Sequence, residues 1–305
     1  MKKALITGSQ GFVGHYLCQE LEHNGYTVTG LDIQTGEGVI VADLLDQSAV
    51  EAVISQIQPD VIFHLAGQAS VAKSWSIPQK TVELNVVAAI NLMEGVRRNQ
   101  PGCHMVLVGS SDQYGNLGDA GKLVSETVRT NPQTPYAVSK QAQEDMAHVY
   151  IKAYGLHISM TRSFNHAGAG QRKGFLISDF ASGVVAVERG EQPCLWVGNL
   201  NARRDFTHVQ DVVRAYRLIA EKGQSGQVYN VGSGYTYSAQ EILDGLCSRA
   251  CCSIPIQQSP SKMRPSDTPV ICCDHSKLTH HTGWNPVISM DEILDEVLEW
   301  WRGQD

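Results

Sequence analysis

The sequence predicts an α/β fold in which a doubly wound parallel sheet carries a smaller α/β cap built from later segments. Residues 1–165 alternate short apolar runs with longer helical patterns, as β-α-β units do. Several of these runs are almost continuously apolar, which is typical of strands that helices cover on both faces. A glycine-rich turn joins the first apolar run to the first helical pattern. Beyond residue 165 the alternation loosens, and this change predicts the cap.

The elements of the sheet domain follow from this alternation in chain order. The predicted strands are Ala4–Thr7, Thr27–Asp32, Val39–Ala42, Val61–Leu65, Met105–Ser110 and Ile158–Arg162. The predicted helices are Val13–His23, Ser48–Gln56, Pro78–Arg98 and Tyr136–Tyr154. Proline suits the start of the third helix, because the N–H groups of the first helical turn have no partner within the helix and proline loses nothing by lacking one. Residues 1–165 therefore form the predicted sheet domain, which also receives about 205–231.

The later segments predict the cap. For the cap, a helix is expected at Ser178–Glu188 and a strand and turn at Trp196–Arg204. The segment that returns to the sheet domain has an expected strand at Phe206–Val209, a helix at Gln210–Glu221 and a strand at Val228–Val231. Capping boxes at Ser238–Glu241 and Ser289–Glu292 predict the starts of two further helices. We assign 166–204 and 232–305 mainly to this second domain, which would bind the substrate.

Composition excludes several classes of protein. The net charge of −7 argues against a nucleic-acid binder, because such proteins need a basic face. No apolar run is long enough to span a membrane, and Gly8 interrupts the apolar start too early for a signal peptide. The eight cysteines include no Cys-x-x-Cys pair, so we expect reduced thiols packed as small hydrophobic side chains and no metal site. A cytoplasmic location follows as an expectation.

The glycine-rich turn predicts a dinucleotide site. Gly8 permits the tight turn, Gly11 lets the backbone approach a pyrophosphate, and Gly14 lets helix and strand pack closely. The helix start then offers amides to phosphate. Asp32 ends the next strand, where a carboxylate accepts from the ribose hydroxyls and repels a 2′-phosphate. We therefore expect NAD(H) to be preferred, with NADP(H) as the alternative; a merely structural turn is the other interpretation. The predicted cofactor residues of the turn are Gly8, Gln10, Gly11, Phe12, Val13 and Gly14.

Two further strand ends are predicted to face the cofactor. Asp43 and Leu44 follow the third strand and would lie beside the adenine, although Asp43 could equally be a strand-end turn residue. Leu65, Ala66 and Gly67 end the fourth strand, where small side chains let the chain pass close to a dinucleotide. His64 beside them is interpreted as a packed histidine.

Tyr136 and Lys140 are the predicted catalytic pair. Their four-residue spacing places a phenol and an ammonium on one face of a helix. Carbonyl reduction needs an acid that protonates the oxygen, and a nearby cation would lower the pKa of the phenol from its usual value of about 10. Ser110 follows the fifth strand, so its hydroxyl would emerge at the carboxyl edge of the sheet and orient the reacting oxygen. Lys140 would also hold the nicotinamide ribose.

The order and spacing of these motifs resemble the extended short-chain dehydrogenase/reductases that act on nucleotide sugars, which have a Rossmann fold. The likeness covers essentially the whole chain. Thr130–Pro135, Ser163–His166, Gly170-Gln171, Arg204–Thr207 and Arg264–Asp267 are similar to segments of GDP-6-deoxy-4-keto-D-mannose reductases in that family. The resemblance implies that residues 1–165 bind NAD(P) and that a GDP-linked sugar is the favoured substrate. By the same resemblance, the substrate contacts are Ser110, Ser111, Asn165, Asn199, Arg204 and Arg264.

The resemblance leaves the reaction partly open. Two arginines from separate segments suit a pyrophosphate, because each guanidinium can bind bidentately. Asp112 stands two residues after Ser110, where related 4,6-dehydratases carry the acid that removes the C5 proton, so we include it among the catalytic candidates. We predict a reductase of a 4-keto-6-deoxyhexose; a 4-epimerase or a 4,6-dehydratase that retains NAD, and a non-catalytic dinucleotide sensor, are the alternatives. By analogy alone, the helices at Pro78–Arg98 and Tyr136–Tyr154 predict a homodimer.

Overall fold

The structure of the chain is a computed structural model that describes residues 1–117, 123–260 and 270–304. Its strands are β1 (Lys3–Thr7), β2 (Thr27–Asp32), β3 (Val39–Val41), β4 (Val61–His64), β5 (His104–Ser110), β6 (Leu123–Val124), β7 (His157–Ser163), β8 (Asn165–Ala167), β9 (Leu195–Val197), β10 (Arg203–His208), β11 (Val228–Val231), β12 (Thr236–Ser238), β13 (Ile256–Gln258) and β14 (Val270–Cys273). Its α-helices are α1 (Phe12–His23), α2 (Gln47–Ile57), α3 (Val71–Ser76), α4 (Pro78–Val82), α5 (Ala88–Asn99), α6 (Pro135–Tyr154), α7 (Leu176–Glu188), α8 (Val209–Lys222), α9 (Ala239–Ser248), α10 (Ser276–Thr282) and α11 (Met290–Arg302).

The main sheet confirms the predicted doubly wound architecture. Its seven strands run in the order β11-β7-β5-β4-β1-β2-β3, and all neighbours pair in parallel. One face packs on α2, α5 and α6, and the other on α1, α8 and α10. The strand order reverses between β1 and β4, so the crevice beyond their carboxyl ends is the expected ligand site of such a sheet.

The cap is built around its own hydrophobic cluster, which joins α7, α9 and α11. A second sheet orders its strands β12-β10-β14-β6, with β8 pairing on β10. Both predicted capping boxes are present: Ser238 and Ser289 each accept from the backbone N–H three residues on, at the start of α9 and α11. These caps satisfy amides that would otherwise lack partners in the first helical turn.

Two predicted elements have different bounds in the structure. The helix expected over 78–98 is α4, a π-helical turn at Glu83–Val87 and α5, with the short helix α3 before it. The strand and turn expected over 196–204 are interrupted: β9 ends at Val197, and Arg204 lies inside β10. β10 pairs with β8, β12 and β14 and not with the main sheet. These pairings bring together segments distant in sequence, which local patterns cannot reveal.

The structure can be compared with two expectations, the packing of the cysteines and the absence of a membrane-spanning segment. All eight cysteines are free thiols. Cys103, Cys194, Cys272 and Cys273 are buried as expected, whereas the adjacent Cys251 and Cys252 are exposed after α9, so the packing prediction fails for that pair. In the described part of the chain, no helix combines the length and apolarity needed to cross a bilayer.

Candidate active site

The glycine turn between β1 and α1 has the geometry of a phosphate cradle. Gly8 has a φ of +72°, and a Cβ there would stand 2.8 Å from the backbone nitrogen of Ala66. A Cβ on Gly14 would overlap the carbonyl oxygen of Gly8. Gly11 precedes α1 and offers no side chain to cap it, so the first amides of the helix are open to an anion. The turn therefore fits a dinucleotide pyrophosphate, with Phe12 and Val13 in the first helical turn.

Asp32 lies at the end of β2, beside this turn. One carboxylate oxygen accepts from the backbone nitrogen of Gln10 at 3.0 Å, and the other accepts from that of Gln34 at 3.1 Å. These two bonds fix the carboxylate next to the glycine turn. A carboxylate in this position can accept from ribose hydroxyls and would repel a phosphate on the same ribose.

The other predicted cofactor residues have different surroundings. Leu44 is buried in the core, and Asp43 accepts from the backbone nitrogen of Leu45 at 2.9 Å, as a turn residue does. Ala66 donates its backbone N–H to the Thr7 hydroxyl, and Leu65 lies next to it at the end of β4. A Cβ on Gly67 would stand 2.6 Å from the Asn85 amide oxygen, so only glycine fits there. All of these residues lie near the carboxyl ends of β3 and β4.

Ser110, Tyr136 and Lys140 meet at the carboxyl edge of the sheet. Ser110 ends β5 and begins a 3-10 turn, while Thr134 caps α6 so that Tyr136 lies in its first turn. The Ser110 side chain lies close enough to the Tyr136 hydroxyl to lower the pKa of the phenol slightly against the larger effect of burial. The three side chains are only 6% to 8% exposed, so electrostatic interactions between them act in a medium of low polarity.

The electrostatics of the pair differ from the sequence prediction. Burial raises the pKa of Tyr136 well above its ordinary value, and the charge of Asp112 raises it further. Burial lowers the pKa of Lys140 to about 8. The Lys140 ammonium donates to the Val108 carbonyl oxygen at 2.8 Å and to the Gln143 amide oxygen at 3.1 Å. The expectation that Lys140 lowers the pKa of Tyr136 is therefore not met, because desolvation of the phenol dominates.

Asp112 and Ser111 belong to the 3-10 turn that follows Ser110. The Ser110 hydroxyl lies 3.4 Å from a carboxylate oxygen of Asp112 and accepts from the Asp112 backbone nitrogen at 3.2 Å. Ser111 is buried, while Asp112 is exposed. The turn thus holds a carboxylate next to the serine hydroxyl.

His64 is packed, as interpreted from the sequence. It is fully buried, and its Nδ1 shares a hydrogen bond of 2.8 Å with the Thr7 hydroxyl. Burial, followed by the charge of Lys140, lowers its pKa to about 3. His64 is therefore neutral at physiological pH.

The structure brings together two of the predicted substrate residues. Asn165 on β8 is exposed. β8 pairs with β10 so that Asn165 lies opposite Phe206, and Arg204 stands two residues before Phe206 on β10. The Asn165 amide donates to the Asp205 carbonyl oxygen at 3.4 Å, and Arg204 donates to the Arg203 carbonyl oxygen at 2.8 Å. Asn199 lies between β9 and β10 and accepts from the backbone nitrogen of Asn201. Arg264 lies outside the described residues.

Sequence reasoning missed a buried polar network behind the catalytic turn. Gln113 connects the turn to Glu144 of α6, and Glu144 forms a buried ion pair with Arg162 of β7. The available signal in the sequence was that Glu144 follows Lys140 by one helical turn and so lies on the same face of α6. A carboxylate buried on that face needs a cationic partner.

The comparisons with known proteins agree with this geometry. A family model described as GDP-mannose 4,6 dehydratase matches residues 36–297. GDP-6-deoxy-D-mannose reductase of Pseudomonas aeruginosa is 30% identical over 99% of this chain and 98% of its own length.

Two solved structures cover 99% of this chain and 99% of their own chains. RMD from Pseudomonas aeruginosa, complexed with NADPH, superposes with a TM-score of 0.90 at 30% identity. UDP-glucose 4-epimerase of Thermus thermophilus, in complex with NAD, gives a TM-score of 0.89 at 28% identity. The chain therefore belongs to the GDP-mannose 4,6 dehydratase family, within the extended short-chain dehydrogenase/reductases, enzymes that use nicotinamide dinucleotides.

Proposed function

We propose that this chain reduces the C4 ketone of a nucleotide-linked 4-keto-6-deoxyhexose, with GDP as the nucleotide. The observation that carries the proposal is the buried cluster of Ser110, Tyr136 and Lys140 beside the glycine turn. The full-length similarity to a GDP-6-deoxy-D-mannose reductase supports the choice among the reactions of the family.

The residues divide the reaction between them. The Gly8–Gly14 turn and Asp32 would hold NADH, which would supply the hydride for C4. Tyr136 gives its hydroxyl proton to the C4 oxygen, so the carbonyl becomes an alcohol and the phenolate regains a proton from solvent. Ser110 orients that oxygen by a hydrogen bond, and the Lys140 ammonium stabilises the phenolate and binds the nicotinamide ribose. Because burial keeps the phenol protonated, Tyr136 begins each reductive turnover in the form that can donate.

A 4,6-dehydratase is the second candidate, and Asp112 is the observation that favours it. Its carboxylate lies 3.4 Å from the Ser110 hydroxyl, so a sugar oriented by Ser110 would place a carbon-bound proton near this base. A dehydratase or an epimerase regenerates its NAD within each turnover, whereas a reductase consumes one NADH per sugar. Conversion of GDP-mannose by the desalted protein without added NADH would favour the second candidate.

We also propose that NAD(H) is preferred to NADP(H). Both carboxylate oxygens of Asp32 already accept backbone N–H groups, so the charge is held in place beside the ribose site. Residues 33–36 contain no lysine or arginine that could bind a 2′-phosphate. Leu44, Leu65, Ala66 and Gly67 would line the same cofactor, with Asp43 at its adenine end.

The nucleotide diphosphate would bind Arg204, Asn165 and Asn199, together with Arg264. A bidentate guanidinium contact to phosphate is charge-assisted, and losing one costs about 1.5–3 kcal/mol, or roughly ten- to a hundredfold in affinity. Calorimetry of GDP binding to Arg204→Ala tests this contact, with Arg203→Ala as the matched control. Arg203 lies on the same strand but binds Thr236 and Glu241.

The expected result is a loss of GDP affinity in Arg204→Ala alone, with NADH affinity unchanged in both variants. Equal GDP affinity in wild type and Arg204→Ala would contradict the contact. Binding of UDP or dTDP in preference to GDP would leave the contact intact and correct only the base.

We further propose a homodimer formed through α4 and α6. These helices pack on each other, and exposed apolar side chains lie on both: Val82 on α4, and Val138 and Val149 on α6. Val82, Val138 and the exposed Trp75 line one open cavity of about 570 Å³. Contiguous exposed apolar surface of this kind marks interaction sites. A cytoplasmic location is part of the proposal, and the eight free thiols favour it because disulfides form in oxidising compartments.

A further inference from the structure

Gln113 lies between the catalytic turn and helix α6. Its side chain is fully buried, and its amide oxygen accepts from the backbone nitrogen of Ser110 at 2.9 Å. Its amide nitrogen donates to a carboxylate oxygen of Glu144 at 2.8 Å and lies 3.2 Å from the amide oxygen of Gln141. One side chain therefore connects the residue that orients the substrate oxygen to the helix that carries Tyr136.

Glu144 is itself held in place from β7. Arg162 donates to both of its carboxylate oxygens, at 2.6 and 3.0 Å, and both side chains are buried. The Arg162 guanidinium lies 4.9 Å above the ring of Tyr114, whose hydroxyl donates to Asn230 at 2.7 Å. A buried and fully paired carboxylate of this kind has little freedom to move, so it is a rigid point of attachment for Gln113.

The backbone around Gln113 is shaped to fit its amide. A Cβ on Gly109 would stand 2.6 Å from the Gln113 amide oxygen and would also overlap the Thr161 carbonyl oxygen. The glycine at this position thus lets the amide reach the Ser110 backbone. Without that acceptor, the Ser110 N–H would be a buried donor with no partner, which costs about 1–3 kcal/mol unless the turn moves.

We propose that Gln113 is a positioning residue that holds Ser110 beside Tyr136 by fastening the Ser110 backbone to Glu144. The inference rests on the proposed function, because it assigns Ser110 and Tyr136 to the reaction. Reaction rates are sensitive to displacements of about 1 Å in a catalytic group, so a loosened Ser110 lowers turnover more than it lowers binding.

Two substitutions test the inference. Gln113→Met keeps the length of the side chain and removes its hydrogen bonds to Ser110, Glu144 and Gln141, so we expect kcat to fall at least tenfold at every pH, with little change in NADH affinity. Gln113→Glu places a carboxylate about 3 Å from that of Glu144, where two carboxylates hold a single proton between them until the pH rises. While that proton is present, position 113 keeps its hydrogen bonds to the Ser110 backbone and to Glu144, so kcat should be near wild type at low pH. It should fall as the pH increases and the shared proton is lost.

The charged groups around position 113 are Glu144 on α6, Arg162 on β7 and Asp112 in the same turn. Tyr114→Phe is the control, because it removes the buried hydrogen bond from the Tyr114 hydroxyl to Asn230 and leaves the three side-chain hydrogen bonds of Gln113 in place. We expect it to lower the melting temperature and to leave kcat unchanged. A loss of kcat in Tyr114→Phe equal to that in Gln113→Met would overturn the inference, since the network would then act through stability alone.

Crystal structures of wild type and Gln113→Met separate this inference from the proposed function. The distance between the Ser110 and Tyr136 hydroxyl oxygens should be longer in the variant, whatever reaction the wild type performs. An unchanged distance, or wild-type kcat for both Gln113 variants at every pH, would refute the positioning role. A wild type that reduces no 4-keto sugar would refute the proposed function instead.

Discussion

Replacing Tyr136 with phenylalanine removes the proposed proton donor and keeps the ring that packs in the site. A positioned general acid contributes about 10²- to 10⁴-fold to the rate. Ser110 would still orient the C4 oxygen and water could supply a proton, so we expect a loss near the lower limit, about 10²-fold in kcat. That loss corresponds to about 2.7 kcal/mol of transition-state stabilisation. Burial raises the pKa of Tyr136 and keeps it protonated, and Lys140 stays charged below its pKa of about 8, so the loss should be constant at pH values below that pKa.

The assay is NADH oxidation with the 4-keto sugar in wild type and Tyr136→Phe, together with NADH affinity measured by fluorescence. NADH should bind as before, because the phenol contributes little to the dinucleotide site around Gly8 to Gly14. A folded variant that keeps near-native turnover would show that Tyr136 is not the acid.

Three further predictions follow from the structure. Asp32→Ala should reduce the preference for NADH over NADPH in kcat/KM, whereas Asp43→Ala should not; a wild type that prefers NADPH would contradict the assignment. Burial lowers the pKa of Lys140 to about 8, so the active ammonium is lost and turnover should decline as the pH rises through that value. The decline should be absent in the less active Lys140→Arg variant, and a wild-type profile that is flat to higher pH would contradict this role of Lys140. Val138→Arg should give monomers in sizing with light scattering, while Val287→Arg, at another exposed valine, keeps the dimer; dimers in both variants would exclude this face.

The main sheet could be predicted because its signal is local. Each strand that is covered on both faces, such as β4 with all of Val61–His64 buried, shows as an apolar run in the sequence. The glycine turn is similarly local, since Gly8 and Gly14 stand where a Cβ would collide with the backbone. The capping boxes of α9 and α11 need only four consecutive residues.

The second sheet and the electrostatics could not be predicted in this way. Arg204 was assigned to a turn because β10 is a short polar strand whose partners β8, β12 and β14 come from three distant segments. The pKa of Tyr136 depends on how completely the fold buries the phenol, which the spacing to Lys140 does not reveal. Gln113 forms a local capping box with Ser110, but its hydrogen bond to Glu144 arises only where β5, β7 and α6 meet.

The most direct test of the account is the NADH requirement of the desalted protein with GDP-4-keto-6-deoxymannose. We expect no conversion of the sugar until NADH is added, and then consumption of one NADH for each GDP-6-deoxyhexose formed. No conversion of the 4-keto sugar with NADH, together with conversion of GDP-mannose by the desalted protein without added NADH, would contradict a reductase, because the chain would then be returning the hydride within each turnover as an epimerase or a dehydratase does.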